Sequence, residues 1–268
     1  MPTPLNEYAF DTARPEAGYQ FAALETFLDP VTTRCLDPIG VQPGWSCWEI
    51  GAGGGSIAHH LAQRVGPAGR VIATDQDISR LTPSGNVVPD RRDVRHQPAP
   101  PGGPFHLAHA RLLLTHVPQR REVLNTIVDA VRPGGWVVIG EFDASPPPPV
   151  LAALSDDDAL LYRRVIETFL GVLTGHGADL GWARQVHAAM LDAGLTQVHT
   201  VEHAESWAGG GNGIRLHEVN AVQKQDELLD TGLTAADLAR FRQLIRDPRF
   251  ACMSYRFVCA VGRKAVQR

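Results

Sequence analysis

A glycine-rich turn and an acid that follows it are the residues of this chain whose types and spacing best suit chemistry. The turn, Gly51–Gly55, follows an apolar stretch that ends at Ile50, and Asp75 follows a second apolar stretch, Val71–Thr74. Because glycine has no Cβ, a ligand can lie against the backbone of such a turn. An acid at the end of the next strand can accept both hydroxyls of a ribose. The spacing therefore predicts a site for an adenosine-type cofactor.

The glycines fit two cofactor patterns. Gly51, Gly53 and Gly55 match G-x-G-x-G, whereas Gly53, Gly55 and Ala58 match the dinucleotide fingerprint G-x-G-x-x-[GA]. The glycines alone leave both open. Glu49 argues against a dinucleotide, because a pyrophosphate would meet its negative charge, while an ammonium or a sulfonium would be attracted.

The composition predicts a soluble globular protein. The chain has 268 residues, 44% hydrophobic and 20% charged, with a net charge of -4. This length supports one large domain, or one domain with a modest insertion. The negative charge and the scattered arginines make nucleic acid an unexpected partner. No apolar run approaches a membrane span and the first residues are polar, so we expect no membrane association and a cytoplasmic location.

Neither cysteines nor histidines predict a metal site. The four cysteines, Cys35, Cys47, Cys252 and Cys259, show no C-x-x-C spacing. Of the eleven histidines, His59 and His60 are adjacent and face different sides of a helix. His199 and His203 have no acidic partner at a metal-site spacing. We therefore expect no metal.

The elements that must position the turn and the acid alternate between strand and helix. Two helical patterns, Ala17–Leu28 and Asp29–Ile39, come first. The predicted strands that follow are Cys47–Ile50, Arg70–Thr74, Asn86–Asp93, Phe105–Ala110 and Trp136–Ile139. The predicted helices between them are Ser56–Val65, a short one near Ile78, and Arg120–Val131, which Arg132–Gly135 terminates. This βαβ rhythm predicts a parallel sheet.

The proline run Pro146–Pro149 marks the end of the cofactor half. Beyond it the predicted helices are Asp157–Leu173, Ala183–Ala193, Leu216–Leu229 and Ala235–Arg246, the last with Thr234 as N-cap. The predicted strands are Thr196–Glu202 and Ser254–Val261. We divide the one compact domain into N-terminal helices over the active site (1–40), a cofactor-binding core (41–145), a helical insertion or cap (146–195), and a part that completes the sheet (196–268).

The order of these motifs resembles the class I S-adenosylmethionine-dependent methyltransferases, especially their small-molecule branch in bacteria. The matching segments lie between about residues 20 and 143. They are Glu49–Gly55, Ala73–Asp75, Arg92–Val94, Leu107–Arg111 and Val131–Trp136. The resemblance implies an α/β fold: a doubly wound, Rossmann-like sheet of seven strands in the order 3-2-1-4-5-7-6, with strand 7 antiparallel and helices on both faces.

The resemblance also implies a cofactor, S-adenosylmethionine, with S-adenosylhomocysteine as its product. Glu49 would orient the methionine amino group, and Asp75 would accept the ribose hydroxyls. Asp93 would accept the adenine amine. The other positions carried over are Gly51, Ala52 and Gly53 against the methionyl and ribose parts, Gln76 and the amide of Val94 beside the adenine, the carbonyl of Ala110 toward the ammonium, and Arg111 close by.

Two residues are candidates for catalysis. A sulfonium methyl is already activated, so the protein must mainly align donor and acceptor and, if needed, remove a proton. His116 matches the second of two histidines found after strand 4 in some small-molecule members, with Thr115 in place of the first. Glu141, at the outer end of strand 5, could hold an amine or a hydroxyl of the acceptor.

The acceptor is expected to be a small, specialised metabolite methylated on oxygen or nitrogen. The aromatic residues that could line its pocket are Tyr19, Phe21, Phe142, Trp182, Trp207 and Tyr255. The glycine-rich segment Ala208–Gly213 could be a mobile lid or a surface loop. A homodimer is possible through the N-terminal helices or the insertion.

Three alternatives remain open at this point. The fold could support a reaction other than methyl transfer, such as a cyclisation that uses the bound cofactor. The match of Gly53, Gly55 and Ala58 to the dinucleotide fingerprint leaves open that the protein is an NAD(P)-dependent oxidoreductase. A binding or regulatory protein that keeps the fold is a third possibility, which the presence of Glu49, Asp75 and Asp93 disfavours.

Overall fold

The computed structural model describes residues 15–266, with the side chains of residues 15–17 left out. The strands are β1 (Ser46–Ile50), β2 (Arg70–Asp75), β3 (Val87–Arg91), β4 (Phe105–Arg111), β5 (Val131–Asp143), β6 (Val150–Ala152), β7 (Leu195–His203), β8 (Ser206–Ala208), β9 (Ala251–Met253) and β10 (Arg256–Lys264). The helices are α1 (Pro15–Leu36), α2 (Ser56–Val65), α3 (Arg120–Ala130), α4 (Asp156–Gly175), α5 (Val186–Asp192), α6 (Arg215–Gln223), α7 (Gln225–Asp230) and α8 (Ala235–Leu244). Short 3₁₀ helices lie at Asp37–Ile39, Leu114–His116 and Trp182–Arg184.

Seven strands form the central sheet in the order β3-β2-β1-β4-β5-β10-β7. The first five are parallel, and β10 runs antiparallel to both β5 and β7. Numbered along the chain within this sheet, the order is 3-2-1-4-5-7-6. The predicted topology is confirmed. Since parallel strands end at one edge, the glycine turn after β1 and the residues after β2, β3 and β4 lie along the same edge.

Two hydrophobic cores cover the two faces of the sheet. One contains the buried faces of α1, α2, α4, α6 and α8. The other contains those of α3 and α5 with Trp182. Helices therefore lie on both faces, as predicted. None of the helices within residues 15–266 is long and apolar enough to cross a membrane.

A second sheet of three short strands, in the order β6-β9-β8, was not predicted. Each strand has three residues, which is too short for an alternating pattern to show in the sequence. The strands also come from three distant parts of the chain, around residues 150, 207 and 252. The sheet packs the segment after the prolines against the C-terminal part.

Helix α1 is continuous, so the prediction of two separate N-terminal helices was wrong. Pro30 lies inside it. A proline in a helix removes a hydrogen bond and crowds the preceding turn. Burial of one face offsets this cost, because Phe27, Leu28, Val31 and Cys35 all pack into the core.

Three further boundaries differ from the sequence prediction. Ile78 lies in a turn closed by the Leu81 amide, not in a helix. The predicted helix Leu216–Leu229 is two helices, α6 and α7, which break at Lys224. Strand β5 already begins at Val131, and 132–135 form a bulge, because Phe105 pairs with Val131 and Leu107 with Trp136.

Candidate active site

The glycine turn after β1 uses its own amide groups to hold its shape. Gly51 and Gly53 have φ values of 67° and 53°, in the left-handed region that glycine tolerates best. The amides of Gly51 and Ala52 donate to the carbonyl of Thr74 at 2.9 and 3.0 Å. The Gly53 amide donates to Oδ2 of Asp75 at 2.9 Å, and the Gly55 amide to the carbonyl of Ala52 at 2.8 Å.

This bonding pattern distinguishes the two cofactor types that the glycines left open. A pyrophosphate is normally held by free backbone amides at such a turn. Here the amides of Gly51, Ala52, Gly53 and Gly55 already have protein acceptors. The turn therefore favours a ligand that touches its surface without needing those donors.

Asp75 lies at the end of β2, directly beside the turn. Its Oδ2 accepts from Gly53, and its Oδ1 accepts from the amide of Asp77 at 3.1 Å. Burial raises the pKa of Asp75, although the bonds from Gly53 and Asp77 oppose that rise. Each carboxylate oxygen has room for a second donor, such as a ribose hydroxyl.

The residues proposed to flank an adenine lie after β2 and β3. The side chain of Gln76 is exposed, and its carbonyl accepts from Arg91 Nε at 3.0 Å. Asp93 is paired with Arg95 at 2.8 Å, and this contact lowers the pKa of Asp93. Val94 is half-buried against the α3 side of the sheet.

Glu49, Ala110 and Arg111 are held mainly by protein contacts. Glu49 is buried, with Oε2 at 2.7 Å from Nδ1 of His109 on the adjacent strand β4. Ala110 pairs with Ile50 on one side, in the middle of the sheet. Arg111 Nη1 donates to Oδ1 of Asp29 on α1 at 2.8 Å. No sequence pattern indicated His109 as the partner of Glu49.

The first turns of α1 lie over the glycine turn. A Cβ built on Gly53 would stand 2.8 Å from the ring of Phe21, and one on Gly54 would meet the carboxylate of Glu25. Burial raises the pKa of Glu25, and the charge of Asp29 acts in the same direction. Glu25 was not singled out from the sequence, because a lone acid on a half-exposed helix face is common.

A cavity opens beside the turn. The residues that line it are Gln20, Phe21, Leu24, Leu112, Thr115, His116, Glu141, Phe142, Ala144, Phe169, Leu170, Leu173, Leu180, Leu216, Asn220 and Tyr255. Phe21 belongs to both the cavity wall and the surface of Gly53. Leu113 follows the wall residue Leu112 in the chain. It lies 3.3 Å from the position that a Cβ on Gly51 would take. The cavity and the glycine turn are therefore adjacent.

Both catalytic candidates line this cavity. Glu141 is fully buried, and its Oε1 accepts from the amide of Leu114 at 2.7 Å. Within the described residues its Oε2 has no hydrogen-bond partner. Burial raises the pKa of Glu141 to about 7, against the opposing effect of the donors around Thr115. This carboxyl can gain or lose a proton near neutral pH.

His116 is the second candidate and lies in the 3₁₀ helix that the Glu141 carboxylate helps to hold through Leu114. Burial, together with the charge of Arg120, lowers the pKa of His116 to about 4. The imidazole is therefore neutral at pH 7. It can accept a hydrogen bond, but it is a weaker base than Glu141.

Only half of the six candidate aromatics line the cavity, namely Phe21, Phe142 and Tyr255. Trp182 is buried under Arg120 and Arg121 on the other face of the sheet. Trp207 packs edge-on against Phe27, with ring centroids 5.1 Å apart.

Tyr19 is 71% exposed and borders a separate surface groove between α1 and α6. Gly210 and Asn212 of the glycine-rich segment line this groove and not the cavity. The segment begins with the last residue of β8, Ala208, and continues as turns.

Several lining residues, among them Gln20, Asn220 and Phe169, and the Gln223 side chain bonded to Gln20, were missed from the sequence. Gln20 Nε2 donates to Oδ1 of Asn220 at 2.8 Å, across a sequence separation of 200 residues. Gln223 Nε2 donates to Oε1 of Gln20 at 3.0 Å. The apolar side chains of α4 that line the cavity, including Phe169, have the spacing of an ordinary buried helix face, so their sequence pattern does not indicate a cavity.

The sequence is similar to known methyltransferases. A family model described as a methyltransferase domain matches residues 21–200. A methyltransferase named str3 from Strobilurus tenacellus is 33% identical over 126 residues, which cover 46% of this chain and 43% of the relative. A nocamycin O-methyltransferase from Saccharothrix syringae is 30% identical, covering 44% of this chain and 45% of the relative. The matches span less than half the length of either relative.

Solved structures share the fold at low sequence identity. A phosphoethanolamine N-methyltransferase of Haemonchus contortus, in complex with phosphomonomethylethanolamine and S-adenosylhomocysteine, has a TM-score of 0.56 at 13% identity, covering 94% of this chain and 58% of that one. A putative methyltransferase of Bacillus halodurans has a TM-score of 0.51 at 15% identity, covering 87% and 98%. The family model matches residues 21–200, about two thirds of the chain, and the glycine turn and the sheet order agree with it. This chain therefore belongs to the methyltransferase domain family.

Proposed function

We propose that this protein transfers a methyl group from S-adenosylmethionine to an oxygen or nitrogen of a small, specialised metabolite. The observation that carries this proposal is the adjacency of the cavity to the glycine turn, with Phe21 common to both and Glu141 in the cavity wall. Relatives that are methyltransferases support the reaction class.

The residues around the turn fit S-adenosylmethionine. The cofactor supplies an activated methyl group on a sulfonium. Asp75 would bind the ribose hydroxyls, while Gly51, Ala52 and Gly53 would form the surface beneath the ribose and methionyl parts. Gln76, Asp93 and Val94 would surround the adenine, which requires the Asp93 carboxylate to keep an oxygen accessible beside Arg95.

Negative charge near the turn favours the cationic end of this cofactor. Glu49 lies at the end of β1, and Glu25 lies over Gly54 from α1. The carbonyl of Ala110 would face the ammonium, and Arg111 would keep α1 in place through Asp29. An ammonium and a sulfonium are both stabilised by such a field, whereas a pyrophosphate is not.

The chain's own part in the reaction is to enclose and orient the acceptor. The apolar walls from α1, α4 and α6 would exclude water from around a bound acceptor. Glu141 can hold a proton released by the acceptor, and the neutral His116 can orient it by a hydrogen bond.

Calorimetry with two ligands tests the cofactor assignment. We expect S-adenosylhomocysteine to bind and NADH to give no heat above dilution. Binding of NADH without any response to S-adenosylhomocysteine would overturn the proposal in favour of an oxidoreductase.

A second measurement tests the reaction. The protein is incubated with S-adenosylmethionine and a library of small acceptors, and release of S-adenosylhomocysteine is followed. Consumption of an acceptor without release of S-adenosylhomocysteine would point to a reaction other than methyl transfer on the same fold.

A further inference from the structure

The wall of the cavity is mainly apolar and carries little charge. Ten of its lining residues are apolar or aromatic without a polar atom, namely Phe21, Leu24, Leu112, Phe142, Ala144, Phe169, Leu170, Leu173, Leu180 and Leu216. Among the described residues that line it, none is a lysine or an arginine, and Glu141 is the only acid. A phosphate or carboxylate on the occupant would therefore be desolvated without a cation to pair with it.

Two polar side chains of the wall, Gln20 and Asn220, are already bonded to each other. Gln20, Asn220 and Gln223 form a chain of two hydrogen bonds, at 2.8 and 3.0 Å. This network lies at the junction of α1 and α6 and holds those helices together. Its amide groups are largely satisfied by each other.

Three buried oxygens of the wall have no hydrogen-bond partner within the described residues. They are Oε2 of Glu141, Oγ1 of Thr115 and the hydroxyl oxygen of Tyr255. The Thr115 hydroxyl lies near the Glu141 carboxyl and lowers its pKa. Because buried polar atoms are normally hydrogen-bonded, three such atoms in one cavity wall point to an occupant that bonds them.

The properties of Tyr255 and Glu141 restrict that occupant. Burial keeps the hydroxyl of Tyr255 protonated, since it raises the pKa of that group well above its ordinary value. This hydroxyl can therefore always donate, which suits an oxygen atom of a neutral occupant. Glu141 Oε2 accepts a hydrogen bond when ionised, so it suits a donor such as a hydroxyl.

We propose that the methyl acceptor is an uncharged, largely apolar molecule, and that its reacting hydroxyl donates its hydrogen bond to Oε2 of Glu141. This inference rests on the proposed function and narrows its acceptor atom to oxygen. The substrate O–H bond breaks and its proton is held on Glu141 Oε2. The freed electron pair forms the new oxygen–carbon bond, and the pair of the broken carbon–sulfur bond stays on sulfur.

Four naphthalene probes of one ring size test this assignment on the protein loaded with S-adenosylhomocysteine. They are 2-naphthol, 2-methoxynaphthalene, 2-naphthylmethylamine and 2-naphthyl phosphate. Affinities are measured by calorimetry at pH 8. We expect 2-naphthol to bind at least about tenfold more tightly than each of the other three, the size of one charge-assisted hydrogen bond.

A variant identifies the group that recognises the hydroxyl. Glu141→Gln keeps an oxygen for the Leu114 amide but cannot take a proton at the position of Oε2. We expect it to weaken 2-naphthol binding by about tenfold and to leave 2-methoxynaphthalene within about twofold. The exposed Glu122→Gln on α3 is the matched control and should leave all four affinities unchanged.

The optical spectrum of bound 2-naphthol adds a readout that needs no methyl transfer, because the naphtholate absorbs at longer wavelength than the naphthol. We expect the neutral naphthol band in the wild-type complex at pH 8, because the ionised Glu141 accepts the naphthol O–H and disfavours a second negative charge beside it. A naphtholate band in that complex would contradict the assignment.

The outcomes separate this inference from the proposed function. Tighter binding of the amine or the phosphate than of 2-naphthol would overturn the inference alone, as would an unchanged 2-naphthol affinity in Glu141→Gln. Failure of the protein to bind S-adenosylhomocysteine in the first step would instead count against the proposed function.

Discussion

Oε2 of Glu49 lies 2.7 Å from Nδ1 of His109, and both side chains are buried between adjacent strands of the sheet. The two residues face each other in the register of β1 and β4. The pair therefore holds the end of β1, the strand that leads into the glycine turn, against β4. An acid that the sequence marks only as a ligand for the cofactor is also a structural partner.

Removal of one member of this pair should destabilise the fold. His109→Leu leaves the Glu49 carboxylate buried without its partner, and we expect a loss of about 3–5 kcal/mol in the free energy of unfolding. Urea unfolding at pH 7 measures this loss. Arg64→Ala, which breaks the exposed pair with Asp37, is the control and should cost less than about 1 kcal/mol. Equal effects of the two variants would contradict the structural role.

Asp75 should be needed for binding the cofactor product. Asp75→Ala removes the acceptor for the ribose hydroxyls and also the partner of the Gly53 amide. We expect the affinity for S-adenosylhomocysteine, measured by calorimetry, to fall at least about tenfold, since hydrogen bonds to a charged group contribute about 1.5–3 kcal/mol each. Asp90→Ala on β3, which loses an ion pair with Arg92, should keep its affinity. An unchanged affinity in Asp75→Ala would argue against this site.

Glu141 should make the stability of the protein depend on pH near neutrality. Its pKa is about 7 in the folded protein against an ordinary value of 4.5. Between these values the folded state holds a proton that the unfolded chain has lost. The contribution is therefore fully present below pH 4.5 and is lost as the pH rises through 7.

The difference between wild type and Glu141→Gln isolates this effect. From pH 4 to pH 8 the free energy of unfolding of the wild type should fall by about 3 kcal/mol relative to the variant. His116 and His217, whose pKa values burial lowers to about 4 and about 3, act in the opposite direction. They are present in both proteins and cancel in the difference. A constant difference across this range would show that Glu141 titrates normally.

The glycine turn should not tolerate a side chain at Gly53. Its φ of 53° is unfavourable for other residues, and a Cβ would crowd the ring of Phe21. We expect Gly53→Ala to lower the free energy of unfolding by about 1–2 kcal/mol, measured by urea unfolding. Gly171→Ala, inside α4 with open space around it, should instead raise it by about 0.5–1 kcal/mol.

The variant Phe21→Ala separates the two causes of this loss. It removes the ring contact but leaves the strained φ of Gly53. If Gly53→Ala costs less in the Phe21→Ala background, the difference measures the contact between α1 and the turn. An additive double variant would show that α1 does not press on Gly53 in solution.

The central sheet could be predicted because its signals are local. Ser56–Val65 was predicted to its observed ends, and the strands around Ile50, Thr74 and Ala110 lie where apolar runs meet turn residues. Their order then followed from the family resemblance. The elements predicted wrongly were those whose outcome depends on packing, such as the continuation of α1 through Pro30.

The candidate site was predicted only in part, for the same reason. Glu141 is predicted from its position at the outer end of strand 5 and His116 from the family resemblance, and the structure brings both into one cavity. Trp182 and Trp207 were named from residue type alone, and they pack elsewhere. Residue type indicates what a side chain can do, but not which space it faces.

The sequence by itself determined the order of the central elements, the glycine turn and the acid that follows it, since each depends on residues close together in the chain. Only the tertiary structure decided which polar groups are paired and which are left for a ligand. Glu49 meets His109 across two strands, and Gln20 meets Asn220 across 200 residues. The unpartnered oxygen of Glu141 results from burial under helices that come both before and after it in the chain, and such burial has no local signal.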